Sequence, residues 1–185
     1  MYLIVGLGNP EEEYSKTRHN MGFDVINKIS EKFGIDVTKQ KFQGLYGTGS
    51  LEGEKVILVK PQTYMNLSGE CVRPFVDFYK IKLENIIIIY DDIDIPTGIT
   101  KIRKKGGAGT HNGMKSVVKE LNTTEFPHIR IGTGATTKIN NLVDYVINKV
   151  SDEEYSKLET GILKGAEAVE TIIKDGIDLA MNRLN

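Results

Sequence analysis

Along this chain apolar residues recur with two different periods, and the changes of period mark out the elements. Tyr2 to Leu7 is a short apolar run that predicts a buried strand, closed by the glycine turn Gly6-Leu7-Gly8-Asn9-Pro10. After a loop through Arg18, the positions Phe23, Ile26, Ile29 and Phe33 recur at helical spacing. Asn20 stands where the N-cap of that helix should be, and Gly34 stops it. Phe42 to Leu51 and Lys55 to Val59 read as two strands joined through Glu52-Gly53-Glu54. Pro61 to Tyr64 breaks the pattern, and a helix from Ser68 to Tyr79 then turns Val72, Phe75, Val76 and Tyr79 inward. Ile86 to Tyr90 is the most apolar strand and therefore central. A strand at Ile99 to Arg103, a helix at Gly113 to Leu121 and a strand at Ile129 to Gly132 follow. Helices at Leu142 to Ile147 and Tyr155 to Leu179 complete the order.

Strands alternating with helices predict an α/β fold: one three-layer sandwich over residues 1–185, with a central mixed, mostly parallel sheet flanked by helices. No internal repeat, low-complexity tract or linker divides it. With 39% hydrophobic and 26% charged residues the chain has a globular composition and enough length for a real core. The single cysteine, Cys71, excludes an internal disulfide framework and a cysteine-rich zinc site, and is compatible with a reducing cytoplasm. The first residues carry no basic leader, and no apolar run approaches bilayer length, so a soluble, unexported protein is expected.

A net charge of −1 argues against a nucleic-acid partner, but its distribution argues otherwise. From Ile95 to Lys119 there is no acidic residue, whereas Lys101, Arg103, Lys104, Lys105, Lys115 and Lys119 all fall there. A solvated basic face accounts for such a stretch on its own; its nearness to Gly106, Gly107 and Gly109 keeps phosphate binding open.

Four sequence features can carry chemistry. Gly6-Leu7-Gly8 after a strand imitates a dinucleotide fingerprint, which would suit an NAD-dependent oxidoreductase. Glu11 stands where the third glycine should be, however, and the next helix starts too late, so a structural turn is the better reading and no cofactor is expected. His19 ends a polar loop beside a strand terminus and begins a helix, whose N-terminus disfavours the imidazolium and should keep the ring neutral. Asp91-Asp92-Ile93-Asp94 follows the central strand, the usual place for site residues. These acids can orient a histidine, bind a divalent cation or face solvent; since His111 and His128 lack ligand spacing, no metal is expected. Asn66 and Asn112 each precede a helix, where capping is the simplest role and donation to a reacting carbonyl the functional one. Ser68 and Cys71 lie in no nucleophile context.

In order along the chain, Val5-Gly6-Leu7-Gly8-Asn9-Pro10, Tyr14, Thr17-Arg18-His19-Asn20, Lys60-Pro61, Thr63-Tyr64-Met65-Asn66, Ser68-Gly69, Asp91-Asp92-Ile93-Asp94-Ile95-Pro96, Gly98, His111-Asn112-Gly113, Lys115-Ser116 and Arg130-Ile131-Gly132 resemble the bacterial peptidyl-tRNA hydrolases. The resemblance implies a cytoplasmic, monomeric esterase. It would cleave the bond between a peptide and the terminal ribose of tRNA, recycling tRNA dropped from stalled ribosomes. It further implies that His19 is the base, Asp91 its supporting acid and Asn9 the residue that tells a blocked amine from a free one. Tyr14, Tyr64, Met65, Asn66 and Asn112 would contact the tRNA end and peptide, and Lys101, Arg103 and Arg130 the tRNA body. The competing reading is an RNA-binding relative on the same fold that has lost hydrolysis. Three departures from the family pattern stand out: Glu11 for glycine, Thr110 for glycine before His111, and Ala135-Thr136-Thr137-Lys138 for an arginine–proline pair.

Overall fold

The computed structural model describes residues 1–134 and 139–185, so the Ala135–Lys138 departure lies outside the described residues. Among the described residues seven strands form one sheet: β1 (Tyr2–Gly6), β2 (Lys39–Lys41), β3 (Gly44–Leu51), β4 (Glu54–Pro61), β5 (Ile86–Pro96), β6 (Thr100–Arg103) and β7 (His128–Gly134). Their order is β2-β3-β4-β1-β5-β7-β6. The four inner strands β4, β1, β5 and β7 run parallel, and the outer strands β2, β3 and β6 join antiparallel. The mixed sheet is the one expected, with its parallel part in the middle.

Helices cover both faces. Helix α1 (Met21–Phe33), α5 (Asp152–Asp175) and α6 (Ile177–Leu184) pack on one side around Ile4, Leu58, Ile87, Ile89, Ile129 and Ile131. Helix α2 (Ser68–Tyr79) and α3 (Asn112–Leu121) pack on the other around Leu3, Val5, Ile57, Val59, Ile86, Ile88 and Tyr90. The strand alternation that splits the isoleucines between two cores explains why Leu3–Val5, Val56–Val59 and Ile86–Ile89 are apolar at successive positions. Among the described residues no helix is long and apolar enough to cross a membrane.

Several elements differ from expectation. Strand β5 does not stop at Tyr90 but runs to Pro96, because it stays paired with β7 through Asp92 and, after a shift of register, pairs with it again at Pro96. Lys39–Lys41 adds an edge strand whose Lys-Gln-Lys sequence has no apolar signal. The long C-terminal helix is two helices, broken at Gly176, where φ is +91°. Gly34, as expected, ends α1 in the left-handed conformation at φ +66°.

Candidate active site

The parallel strands end along one edge of the sheet, and the chain leaves β1 and β4 toward opposite faces there, which opens a crevice. Gly6, the last residue of β1, pairs with Ile89, so Asp91 lies just past the end of β1 in a strand still held by β7. Leaving β1 the chain must pass close under α1. A side chain on Gly6 would put its Cβ 2.1 Å from the carbonyl oxygen of Gly22, and one on Gly8 would meet the Phe23 ring at 2.7 Å. The Gly6-Leu7-Gly8 turn therefore serves close strand–helix packing, not a pyrophosphate.

That packing brings the 3-10 turn Arg18–Asn20, directly ahead of α1, over the end of β5. His19 Nδ1 lies 2.8 and 3.0 Å from the two carboxylate oxygens of Asp91, across 72 residues of sequence. With Nδ1–H donating to Asp91, the other ring nitrogen, Nε2, is left to face the cleft that His19 lines. Burial by itself favours the neutral ring, but attraction to and hydrogen bonding with Asp91 outweigh it and raise the His19 pKa. The helix-terminus argument for a depressed value is thus corrected: a carboxylate in contact outweighs a partial charge. Asp91 is itself fully enclosed. Burial opposes its charge, yet the two histidines that face it hold its carboxyl well below the usual carboxylate range.

The second of those histidines is His111, which sequence reasoning passed over. Its Nε2 lies 2.9 Å from Asp91 Oδ1, and its Nδ1 accepts the backbone N–H of Met114 at 3.1 Å, which makes His111 the N-cap of α3. Both ring nitrogens are occupied, so His111 has none to offer a substrate. His128 is sealed in the core below. Its Nδ1 pairs with the Tyr90 hydroxyl at 3.0 Å, and burial, with Arg130 and Arg103 nearby, pushes its pKa down to about 4. Of the three histidines only His19 presents a nitrogen to the cleft and meets a carboxylate through the other.

The asparagines divide into two kinds. Asn9 is buried and fully oriented: its side-chain oxygen accepts the Met65 N–H at 2.9 Å. Asn20 fixes its backbone at both ends, accepting Asn9 N–H at 2.7 Å and donating to Asn9 C=O at 3.0 Å. The amide group left over on Asn9 is the NH2, a donor, on a residue that lines the cleft. Asn20 occupies the N-cap position of α1 but makes no side-chain cap bond; its amide is spent on Asn9. Asn66 and Asn112 line the same cleft from its exposed rim, and neither serves as a side-chain cap. Met65 also lines the cleft and is buried, its sulfur so close to Gly113 that a Cβ there would lie 2.4 Å away.

The cleft encloses about 570 Å³. Besides these residues it is lined by Tyr64, Arg103, Arg130 and the apolar side chains of the short helix α4 (Leu142–Ile147). Tyr64 has φ +66° and ψ 159°, a region that side chains adopt only under strain, and its hydroxyl donates to the Glu11 carboxylate. Thr110 lies exposed on the rim. Lys101, Arg103 and Arg130 share one face of the β6–β7 pair, since Lys101 lies opposite Arg130. Arg103 is exposed, Lys101 reaches the carbonyl of Asn185 at 2.8 Å, and Arg130 is mostly buried beside Asp92 at 3.3 Å. Tyr14, in the 3-10 turn Glu12–Tyr14, does not line the cleft.

His19, Asp91 and His111 are also the described residues best placed to hold a cation, their ligand atoms lying within 4.8 Å of one another. The nitrogens that face Asp91 already carry the protons that satisfy it, and a cation at that point has to displace both.

The family model for peptidyl-tRNA hydrolase matches residues 3–185. A peptidyl-tRNA hydrolase of Clostridium botulinum (strain Alaska E43) is 53% identical over 185 residues, all of this chain and 96% of that one. One of Alkaliphilus metalliredigens is 52% identical over the full length of both. A solved structure of peptidyl-tRNA hydrolase from Acinetobacter baumannii superposes with a TM-score of 0.94 at 37% identity, covering all of this chain and 94% of that one. On its motifs, its fold and these matches, the chain belongs to the peptidyl-tRNA hydrolase family.

Proposed function

We propose that His19, through its free Nε2, draws a proton from a water molecule and directs that water onto the ester carbonyl joining a peptide to the terminal ribose of tRNA. Family membership assigns the reaction class. The observation that carries the mechanism is the His19–Asp91 contact at the floor of a cleft lined by Asn9, Asn66 and Asn112. An ester has a good enough leaving group for an imidazole-activated water, so neither a metal nor a covalent nucleophile is called for. Asp91 fixes the ring tautomer and stabilises the imidazolium that forms. His111, held by Met114, in turn fixes Asp91. Asn66 or Asn112, with amides exposed on the rim, donates to the carbonyl oxygen as it gains charge.

The Asn9 amide explains a preference for blocked amines. A substrate amide offers that NH2 group a carbonyl acceptor, whereas a free ammonium brings only donors to it. Tyr64 extends the contact surface at the mouth, Tyr14 meets the tRNA end outside the cleft, and Lys101, Arg103 and Arg130 receive tRNA phosphates along the β6–β7 face. We read the protein as a cytoplasmic monomer.

The test is turnover of an N-acetylated aminoacyl-tRNA beside its unblocked counterpart. Release of the acyl group from the blocked substrate, faster than from the free one, is expected. Tight binding of tRNA with no release would leave an RNA-binding module in place of an enzyme.

A further inference from the structure

Arg18 precedes the base by one residue yet does not line the cleft. Its Nε and Nη2 grip the Glu154 carboxylate at 3.0, 2.7 and 2.8 Å, a two-pronged ion pair with the first turn of α5. Nη1 donates to the backbone carbonyl of Tyr145 at 2.8 Å, and the guanidinium carbon lies 3.7 Å from the centre of the Tyr145 ring. The Tyr145 hydroxyl then donates to the carbonyl of Thr133, in β7, at 2.6 Å. A second tie runs beside the first: Thr17 bridges Lys149, and Val150 N–H donates to Lys16 C=O at 3.2 Å. The turn that carries His19 is thus fastened to helix α4.

Helix α4 has two faces. Tyr145 is on the fastened one, while Leu142, Val143, Val146 and Ile147, at i, i+1, i+4 and i+5, line the cleft. Val143 is 63% exposed and Leu142 37%, apolar surface left uncovered in the cavity that contains the base. Such a stripe suits an apolar side chain, and it works as a recognition surface only if its distance from His19 is fixed.

We propose that Arg18 is a positioning residue for substrate selection: it clamps α4 at a set distance from His19, and the α4 stripe receives an apolar side chain of the peptidyl group. The second half rests on the ester-hydrolase reading above; the first does not. Only arginine meets the geometry, because the same planar group has to fork onto Glu154, donate to a carbonyl and stack on a ring.

The experiment uses the full chain with Arg18→Lys and Glu154→Gln, the milder second change guarding against a folding defect in the first. N-acetyl-leucyl-tRNA and N-acetyl-glycyl-tRNA are the probes. Wild type should show the lower KM for the leucyl substrate. Each variant should raise that KM by about tenfold, the scale of apolar side-chain discrimination, while the glycyl KM and both kcat values move by less than about twofold. The acid limb of the pH profile, which reports His19, should stay in place. Equal losses on both substrates would mark Arg18 as a general structural support and overturn the proposal, as would no loss. Amide exchange gives a readout independent of turnover: residues 142–147 should exchange faster in both variants, while α1 does not change. Unchanged exchange in α4 removes the clamp whether or not the protein is active. If wild type cleaves neither substrate, the hydrolase reading fails and exchange still decides the clamp; if it cleaves both with equal KM, the apolar wall is refuted.

Discussion

The floor of the cleft and its basic edge are built on opposite principles. At the floor, Asp91 is 2% exposed and lies between His19 and His111, of which His111 is held in turn by Met114; Asn9, also buried there, is held by Met65 and Asn20. At the edge, Arg103 is open to solvent, Lys104 and Lys105 reach Asp178 and Glu125 through exposed ion pairs, and only Arg130 is largely enclosed. Buried, fully partnered groups fix geometry and protonation over fractions of an ångström, and removing one member strands the rest. Exposed charges act through a screened field in which no single pair counts for much. Chemistry should therefore depend on single atoms at the floor, and binding on the summed charge at the edge.

The largest break in that comparison is His19→Ala. Removing the only histidine nitrogen that faces the cleft should cut kcat by about 10²–10⁴, with little change in tRNA affinity. Near-normal single-turnover cleavage would show that the base is elsewhere. Asp91→Asn is next and sharpens the electrostatic claim. It should lower kcat by on the order of 10²-fold or more, since the amide no longer stabilises the imidazolium. It also has a pH signature. The base works deprotonated, and Asp91 raises its pKa, so the acid limb of kcat/KM should lie above the ordinary histidine value of about 6.5. Without the carboxylate only burial remains, and the limb should move to lower pH. A limb that stays put or rises contradicts the assigned pair.

Between floor and edge stand the two rim asparagines. Alanine at whichever of Asn66 and Asn112 meets the developing oxyanion should cost about 3 kcal/mol in kcat, and alanine at the other should act mainly on KM. Equal, small effects on kcat from both would assign the oxyanion to another donor. Arg103→Ala should do least: a several-fold rise in KM, unchanged kcat, and a salt dependence shallower by about one phosphate contact. A loss in kcat there would mean that the edge takes part in chemistry and the contrast is wrong.

What was legible in the sequence follows the same division. The apolar runs of β1, β4 and β5 and the helical spacing of α1 and α2 announce themselves because burial imposes a period. His19 was readable because it stands at an element end, and Asp91 because it follows the last apolar residue of the central strand, although the strand itself runs on past it. Strand β2 was not, since an edge strand of Lys39, Gln40 and Lys41 has no apolar side chain to bury, and the extension of β5 was not, since it rests on backbone pairing with β7. His111 and Asn20 were missed for a related reason. Each looks like an ordinary residue at a helix start, and its role comes from one contact: with Asp91, 20 residues away, for His111, and with Asn9, 11 residues away, for Asn20. The strained Tyr64 backbone has no signal in composition at all.

The contact between Gly6 and Gly22 limits how this protein can be stabilised. Glycine inside a helix costs about 1 kcal/mol relative to alanine, so Gly22, in the first turn of α1, looks like an obvious target for thermostability engineering. A methyl group there would sit 2.4 Å from the carbonyl oxygen of Ile89 and 2.4 Å from the backbone nitrogen of Leu7. Relief would require α1 to lift off the sheet, and the turn bearing His19 would travel with it. The close approach of two backbones thus holds a locally unfavourable residue in the helix, and a stabilising design that ignores this would displace the turn that bears His19.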